Sequence, residues 1–326
     1  MAFASAPEPA PGSAGPGDLA PGDSGRLPLS APERLLQKLD WQVVRRLDGV
    51  LQGDYRSLFS GSGLDFAALR EYEAGDDVRA IDWNVTARLD APWVRVFHED
   101  RELSAWFLLD LSPSVDFGTV TGDREKRTVL IDFVATLARL LTRRGNRVGA
   151  ILANGVEETT IPAGSGRNQV LRLVEELLGR PRLPAAPVTD LRPLLEAAHR
   201  RIRRRSLVIL VSDFIGVPGW DRSLGLLNRR HELLAVRLVD PREIELPDVG
   251  PIVMEDAETG EQLYVDTADA GFRRRFRSAA DAREAAIAAA LRTARVDAAT
   301  LSTEDDLVRA IVQMAAERRT RRRVVR

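Results

Sequence analysis

The sequence predicts an α/β protein: a doubly wound, mostly parallel sheet, with a small β-rich subdomain before it and helices after it. Three observations lead there: four short apolar runs, helix-patterned stretches between them, and a change in turn density near residue 103. The runs are Ala105 to Leu109, Arg147 to Leu152, Ser206 to Val211 and Leu233 to Val239. Strands this short and this apolar suit a sheet covered on both faces, because the crossover helices of parallel strands lie on those faces. The helix-patterned stretches fall at about 123–143, 167–178, 190–204 and 219–229. Apolar strands separated by helices in this order argue for a doubly wound unit, since each crossover returns the chain to the same sheet.

The remaining elements follow in chain order. Residues 1–30 are dominated by Pro, Gly, Ala and Ser and bury too little apolar surface to offset chain entropy, so they are expected to form a disordered tail. Ser30 and Glu33 have the spacing of a capping box, which starts a helix running to about Leu47. Between 48 and 103 the turn signals crowd together at Gly53-Asp54, Gly61-Ser62-Gly63 and Gly75-Asp76-Asp77, and Trp93 to Phe97 alternates as a half-buried strand. Residues 31–103 are therefore expected to be the N-terminal helix and β-rich subdomain, and 104–266 the α/β domain. A late hairpin is expected from Ile252 to Glu255 and Gln262 to Val265 around Glu258-Thr259-Gly260. Helices at about 268–294 and 303–319 and a basic tail make up residues 267–326.

Composition removes several function classes. The 326 residues contain no cysteine, which excludes disulfides, thiolate metal sites and cysteine nucleophiles. The three histidines, His98, His199 and His231, are far apart in the sequence and lack ligand-pair spacing. The formal net charge of -1 gives no global attraction to nucleic acid or an anionic membrane. No apolar run is long enough for a membrane span and the N-terminus does not read as a signal peptide, so a cytoplasmic protein is expected. No P-loop pattern occurs, and no nucleophile accompanies the carboxylates, so an enzyme is not expected. Basic charge is almost all arginine, with Lys38 and Lys126 the two lysines, which reads as a compositional habit of the genome.

The informative constellation is Asp110-Leu111-Ser112-Pro113-Ser114, directly after the first buried run. In a doubly wound sheet, ligands bind beyond the carboxyl ends of the strands where strand order reverses. One carboxylate and two hydroxyls there offer hard oxygen ligands of the kind Mg²⁺ takes. Thr189 precedes the third helix-patterned stretch and Asp213 follows the third buried run, so both lie on loops at the same end of the sheet. This pattern resembles the metal-ion-dependent adhesion site of von Willebrand factor A domains. The resemblance implies that Asp110, Ser112, Ser114, Thr189 and Asp213 hold Mg²⁺, or Mn²⁺, directly or through water. It also implies an open coordination position for an acidic side chain of a partner.

A second resemblance rests on residues 53–100: Gly53-Asp54-Tyr55-Arg56-Ser57, Arg70-Glu71-Tyr72, Gly75-Asp76-Asp77-Val78-Arg79, Ile81-Asp82-Trp83, Thr86-Ala87-Arg88 and Phe97-His98-Glu99. This segment resembles the bacterial family catalogued as domain of unknown function fifty-eight, whose members join it to a von Willebrand factor A-like domain. Membership implies a link with MoxR-type AAA+ ATPases. Read from the residues alone, Asp76, Asp77, Arg79, Asp82 and Arg88 alternate in sign around Trp83. They either pin the subdomain through ion pairs with Trp83 as a packing anchor, or form a partner-binding surface.

The expected function is a metal-dependent protein-binding module, an adaptor for a MoxR-type AAA+ ATPase or for a client carrying an acidic residue. A structural scaffold with a vestigial metal site is one alternative. A Mg²⁺-dependent phosphohydrolase is another, although the second Asp such enzymes need two residues on is replaced by Ser112.

Overall fold

The computed structural model describes residues 29–50, 66–74, 76–78, 81–89, 91–97, 104–116, 124–183, 188–257 and 259–324. The tail expected over 1–30, apart from its last two residues, lies outside them, as do residues 53–65, Gly75, Arg79, His98 and Glu99.

The chain enters through α1 (Ala31–Leu39), a π-helical turn (Asp40–Val44) and α2 (Arg45–Val50). The capping box is formed: the Ser30 amide donates to Glu33 Oε2 at 2.9 Å and the Glu33 amide donates back to Ser30 Oγ at 3.4 Å. Next come β1 (Phe66–Glu71), α3 (Trp83–Leu89) and β2 (Trp93–Phe97), with β1 and β2 paired antiparallel. The α/β part then runs β3 (Ser104–Asp110), α4 (Lys126–Arg143), β4 (Arg147–Ala153), β5 (Glu158–Gly164), α5 (Gly166–Gly179) and α6 (Arg192–Arg201). It continues through β6 (Leu207–Ser212), α7 (Trp220–Arg230), β7 (Glu232–Val239), β8 (Pro251–Glu255) and β9 (Gln262–Asp266). The last elements are α8 (Ala270–Ala294), β10 (Asp297–Ser302) and α9 (Leu307–Val324).

Six strands form the central sheet in the order β10-β7-β6-β3-β4-β5. All neighbours are parallel except β4 and β5. The expected doubly wound, mostly parallel sheet is therefore present. Two strands lie beyond the four apolar runs: β5, which returns antiparallel along one edge, and β10, which closes the other edge against β7.

The two faces sort the side chains by alternation. Ala105, Phe107 and Leu109 of β3 pack with α1, α4, α5 and α9, while Leu108 packs with α6, α7 and α8 on the opposite face. β6 divides in the same way, Leu207, Ile209 and Val211 to one side and Val208 and Leu210 to the other. Each fully buried side chain of this size contributes about 1.5–3 kcal/mol relative to exposure, so continuous apolar runs, not alternating ones, are what a doubly covered sheet selects. No helix among the described residues is long and apolar enough to cross a membrane.

This topology fixes where a ligand can sit. The chain leaves β3 for β4 on one side and later returns to β6 on the other. The carboxyl ends of β3 and β6 thus border the crevice where the winding reverses, and Asp110 and Ser212 are their last residues.

Candidate metal centre

Asp110 closes β3 and is buried. Its Oδ1 accepts the Ser112 amide at 3.0 Å, the turn that an Asp makes with the residue two on. Its Oδ2 accepts the Ser212 hydroxyl at 2.7 Å across the strand boundary. The chain then enters a short 3-10 turn (Pro113–Asp116), with the Val115 amide on the Ser112 carbonyl at 3.0 Å. Proline at the turn's start needs no hydrogen on its nitrogen and so fits there. The result turns Ser112 and Ser114 to the same side, their Oγ atoms 3.1 Å apart and both buried.

Asp213 follows β6 and is fully buried. Its Oδ1 accepts the Ile215 amide at 3.0 Å. The turn after it is unusual: Phe214 has φ +57, and its ring packs on Trp220 with centroids 5.0 Å apart. A bulky residue in this left-handed region costs on the order of 1 kcal/mol or more and persists only where its surroundings hold it. Here the Phe214 amide donates to Ser212 Oγ at 2.9 Å. Gly216, at φ +149, lets the same loop touch the Thr189 backbone; a Cβ at Gly216 would stand 2.1 Å from the Thr189 carbonyl oxygen. The Val217 amide donates to that carbonyl at 2.8 Å. Buried Thr189 is thereby tied to the Asp213 loop.

The structure brings Asp110, Ser112 and Ser114 together directly, joins Asp213 to Asp110 through Ser212, and ties Thr189 to the loop after Asp213. Oxygen chemistry fits a hard divalent ion. Adjacent ligands on an octahedron with bonds of about 2.0–2.1 Å stand about 3 Å apart, which is the spacing of the Ser112 and Ser114 hydroxyls. Electrostatics fits too. Burial, and then the Asp213 charge, push the Asp110 carboxyl up to about 6 against the hydrogen bonds from Ser212 and Ser112. The Asp213 charge destabilises the Asp110 carboxylate, and a cation between them would relieve this. Among the described residues no group of three or more His, Asp or Glu side chains forms a metal cluster, so the fit rests on two carboxylates with hydroxyls.

Three residues at the candidate site carry no mark in the motif. Ser212 links Asp110 to the Phe214 turn. Lys126, fully buried at the start of α4, places its Nζ 3.0 Å from Asp213 Oδ2 and 2.6 Å from Glu243 Oε1. Burial opposes charge on this amine, but Asp213 and Glu243 outweigh it and hold it protonated. Glu243 belongs to a 3-10 turn (Pro241–Glu243) after β7. The one available signal was rarity, a lysine in a chain that otherwise uses arginine almost throughout.

The charged motif divides by role. Asp76 accepts both Arg70 guanidinium nitrogens, at 2.7 and 2.8 Å, and the Glu73 amide at 2.9 Å. Arg70 holds its carboxyl below the usual range. Asp82 is buried and caps α3, accepting the Asn84 amide at 3.0 Å. Those two side chains are engaged in local structure. Trp83 is 68% exposed, so it is not a packing anchor; Asp77 and Arg88 are exposed as well, and Arg79 lies outside the described residues. Val78 and Leu89, 60% and 55% exposed, add apolar surface in the same stretch of chain. Elsewhere, His231 is buried, and neither ring nitrogen has a hydrogen-bond partner among the described residues. Burial, helped by the charges of Arg230, His199 and Arg205, lowers it to about 4.

Comparison with known proteins gives the following. An uncharacterized protein of Mycobacterium tuberculosis is 40% identical over 286 residues, covering 87% of this chain and 89% of that protein, and one of Mycobacterium bovis matches equally. A shorter Mycobacterium avium protein is 39% identical over 161 residues, which is 49% of this chain and 95% of that protein. Similar solved structures include the BatB protein of Bacteroides thetaiotaomicron, at 14% identity and TM-score 0.43 over 67% of this chain and 99% of that one. They also include the von Willebrand factor A domain of SpRpn10, at 10% identity and TM-score 0.35 over 65% of this chain and 95% of that one. The family described as a protein of unknown function, DUF58, matches residues 68–286, and with two thirds of its length inside that match the chain belongs to the DUF58 family.

Proposed function

We propose that this protein is a protein-interaction module that holds Mg²⁺, or Mn²⁺, at Asp110, Ser112 and Ser114, with Thr189 and Asp213 as further oxygen donors. The bound cation supplies one exchangeable position for a partner's carboxylate. The observation that carries this reading is the buried Ser112–Ser114 hydroxyl pair at 3.1 Å beside Asp110, whose carboxyl has neutral hydrogen-bond partners and no ion pair among the described residues. A buried carboxylate without a counter-charge costs free energy, which a cation would recover. Among the described residues the hydroxyls and carboxylates of the site are held by one another, by backbone amides and by Lys126, so the module is proposed to bind and not to catalyse. The resemblance of residues 53–100 points to a MoxR-type AAA+ ATPase as the partner, or a client bearing an acidic residue. Exposed Trp83, with Asp77 and Arg88, provides a second contact surface.

The test is capture from native cytoplasmic extract on the immobilised full chain, with Mg²⁺, with EDTA, and with Asp110→Ala. Retention of an AAA+ ATPase or another protein only with metal and intact Asp110 is the expected result. Identical retention in all three conditions would remove the metal from the docking step. One observation favours a second reading, a scaffold that needs no metal: Lys126 already sets a positive charge against Asp213. Under that reading assembly proceeds unchanged in chelator.

A further inference from the structure

We infer that Lys126 is a resident counter-ion that sets how tightly the candidate site holds a divalent cation. This rests on the metal reading above and concerns the charge that a cation meets when it arrives. Lys126 is fully buried and its ammonium lies on Asp213 Oδ2 at 3.0 Å and on Glu243 Oε1 at 2.6 Å. Asp110, on the other side of the crevice, is held by the Ser112 amide and the Ser212 hydroxyl. The two carboxylates are thus unequal: one is compensated in advance and the other is not.

Neither helix stability nor the habits of this chain account for a lysine here. Lys126 is the first residue of an 18-residue helix, where the macrodipole disfavours a cation. Where the chain needs a buried cation for packing it uses arginine: Arg127 against Asp116, Arg237 against Glu284, Arg318 against Asp297. Arginine presents a flat fork suited to one carboxylate face, whereas an ammonium is a compact point charge with three tetrahedral donors. Arg318 also spans carboxylates of two elements, Glu232 of β7 and Asp297 of β10, so what sets Lys126 apart is the compact charge and not the sharing itself.

The arrangement has a definite consequence. With Asp213 offset by Lys126, an incoming Mg²⁺ meets about one carboxylate charge where two are present. Its affinity is reduced, and the bound ion keeps positive charge for a partner's carboxylate. Glu243 works in the opposite direction by drawing the ammonium towards itself. Removing Lys126 should therefore tighten Mg²⁺ binding, on the order of tenfold or more. Removing the Glu243 charge should loosen it, because the ammonium is then no longer drawn away from Asp213.

The experiment titrates MgCl₂ into the metal-stripped full chain by calorimetry, with circular dichroism to check folding, for wild type, Lys126→Met, Glu243→Gln and Asp110→Asn. Tighter binding in Lys126→Met and weaker binding in Glu243→Gln supports the inference, because a general packing defect would move both the same way. Unchanged or weaker binding in folded Lys126→Met, or shifts of both variants in one direction, overturns it and leaves the metal reading standing. If Lys126→Met does not fold, Glu243→Gln decides alone: unchanged or tighter binding overturns the inference. Binding seen only in Lys126→Met supports the counter-ion role and overturns metal holding by the native chain. Absence of binding in every variant overturns both.

Discussion

Replacing Asp110 by Asn should stabilise the metal-free protein, and the gain should depend on pH in a calculable way. In the folded chain this carboxyl is pushed up to about 6, against an ordinary value of 3.8. The folded state therefore binds the proton more tightly than the unfolded one. Below 3.8 both states are protonated and there is no penalty; the penalty grows between 3.8 and about 6 and is complete above it. Linkage gives a penalty of about 3 kcal/mol at pH 8, about half of that at pH 5 and less than about 1 kcal/mol at pH 4. Asparagine removes the charge but has one acceptor where the carboxylate uses two, for Ser112 and Ser212. Losing one such bond costs about 1 kcal/mol. Asp110→Asn should then be more stable than wild type by about 2 kcal/mol at pH 8, with the difference vanishing between about pH 4 and 5. Urea unfolding in EDTA across pH 4.5–8, with both proteins in the same buffers, reads the difference directly. A difference that is flat with pH, or larger in acid, would refute the premise that Asp110 is an uncompensated buried charge. Adding Mg²⁺ at pH 8 should raise the stability of wild type and leave the variant where it was.

Three more outcomes are expected. Gly216→Ala should cost about 2–4 kcal/mol and weaken Mg²⁺ binding, since its Cβ would stand 2.1 Å from the Thr189 carbonyl oxygen; urea unfolding and calorimetry read the two effects. His231 has a folded pKa of about 4 against 6.5, so the unfolded chain takes the proton first as pH falls, and stability present above 6.5 is lost towards 4. Wild type should lose about 2 kcal/mol from this group between pH 7 and 5, and His231→Leu should not show that loss in paired unfolding curves. Trp83→Ala should change stability by no more than about 0.5 kcal/mol because the ring is exposed, yet reduce retention of a captured partner; a large stability loss would return Trp83 to a packing role.

The parts of the fold legible in the sequence are those whose physics is local. Leu207 to Val211 read as a strand buried on both faces because every residue is apolar, and its side chains do alternate between two cores. β5 and β10 escaped because edge strands have only one neighbour and need no such run. Glu158-Thr159-Thr160-Ile161-Pro162 is largely polar, and Asp297-Ala298-Ala299 is mostly small. Proline in the first is tolerated because an edge strand has an unpaired side. The helix at Trp83 was hidden among turn signals, although Asp82 is a standard residue for capping one. In the candidate site, Asp110, Ser112 and Ser114 are two residues apart and advertise themselves. Lys126 meets Asp213 and Glu243 across 87 and 117 residues of chain, so spacing could not reveal the partnership.

The place of β10 also bears on how the chain is made. Residues 297–302 complete a sheet whose neighbouring strand, β7, ends at residue 239. During synthesis the free side of β7 emerges first and waits for its partner. At about 5–20 residues per second the delay is several seconds. Throughout that interval an apolar strand presents unpaired amides and carbonyls, the template on which other chains aggregate. Nascent chains of this protein should therefore depend on ribosome-bound chaperones until the sixty or so residues that follow β7 have appeared. Shortening the chain before residue 297 should shift the product from soluble to aggregated, even though every proposed metal ligand lies at or before residue 213.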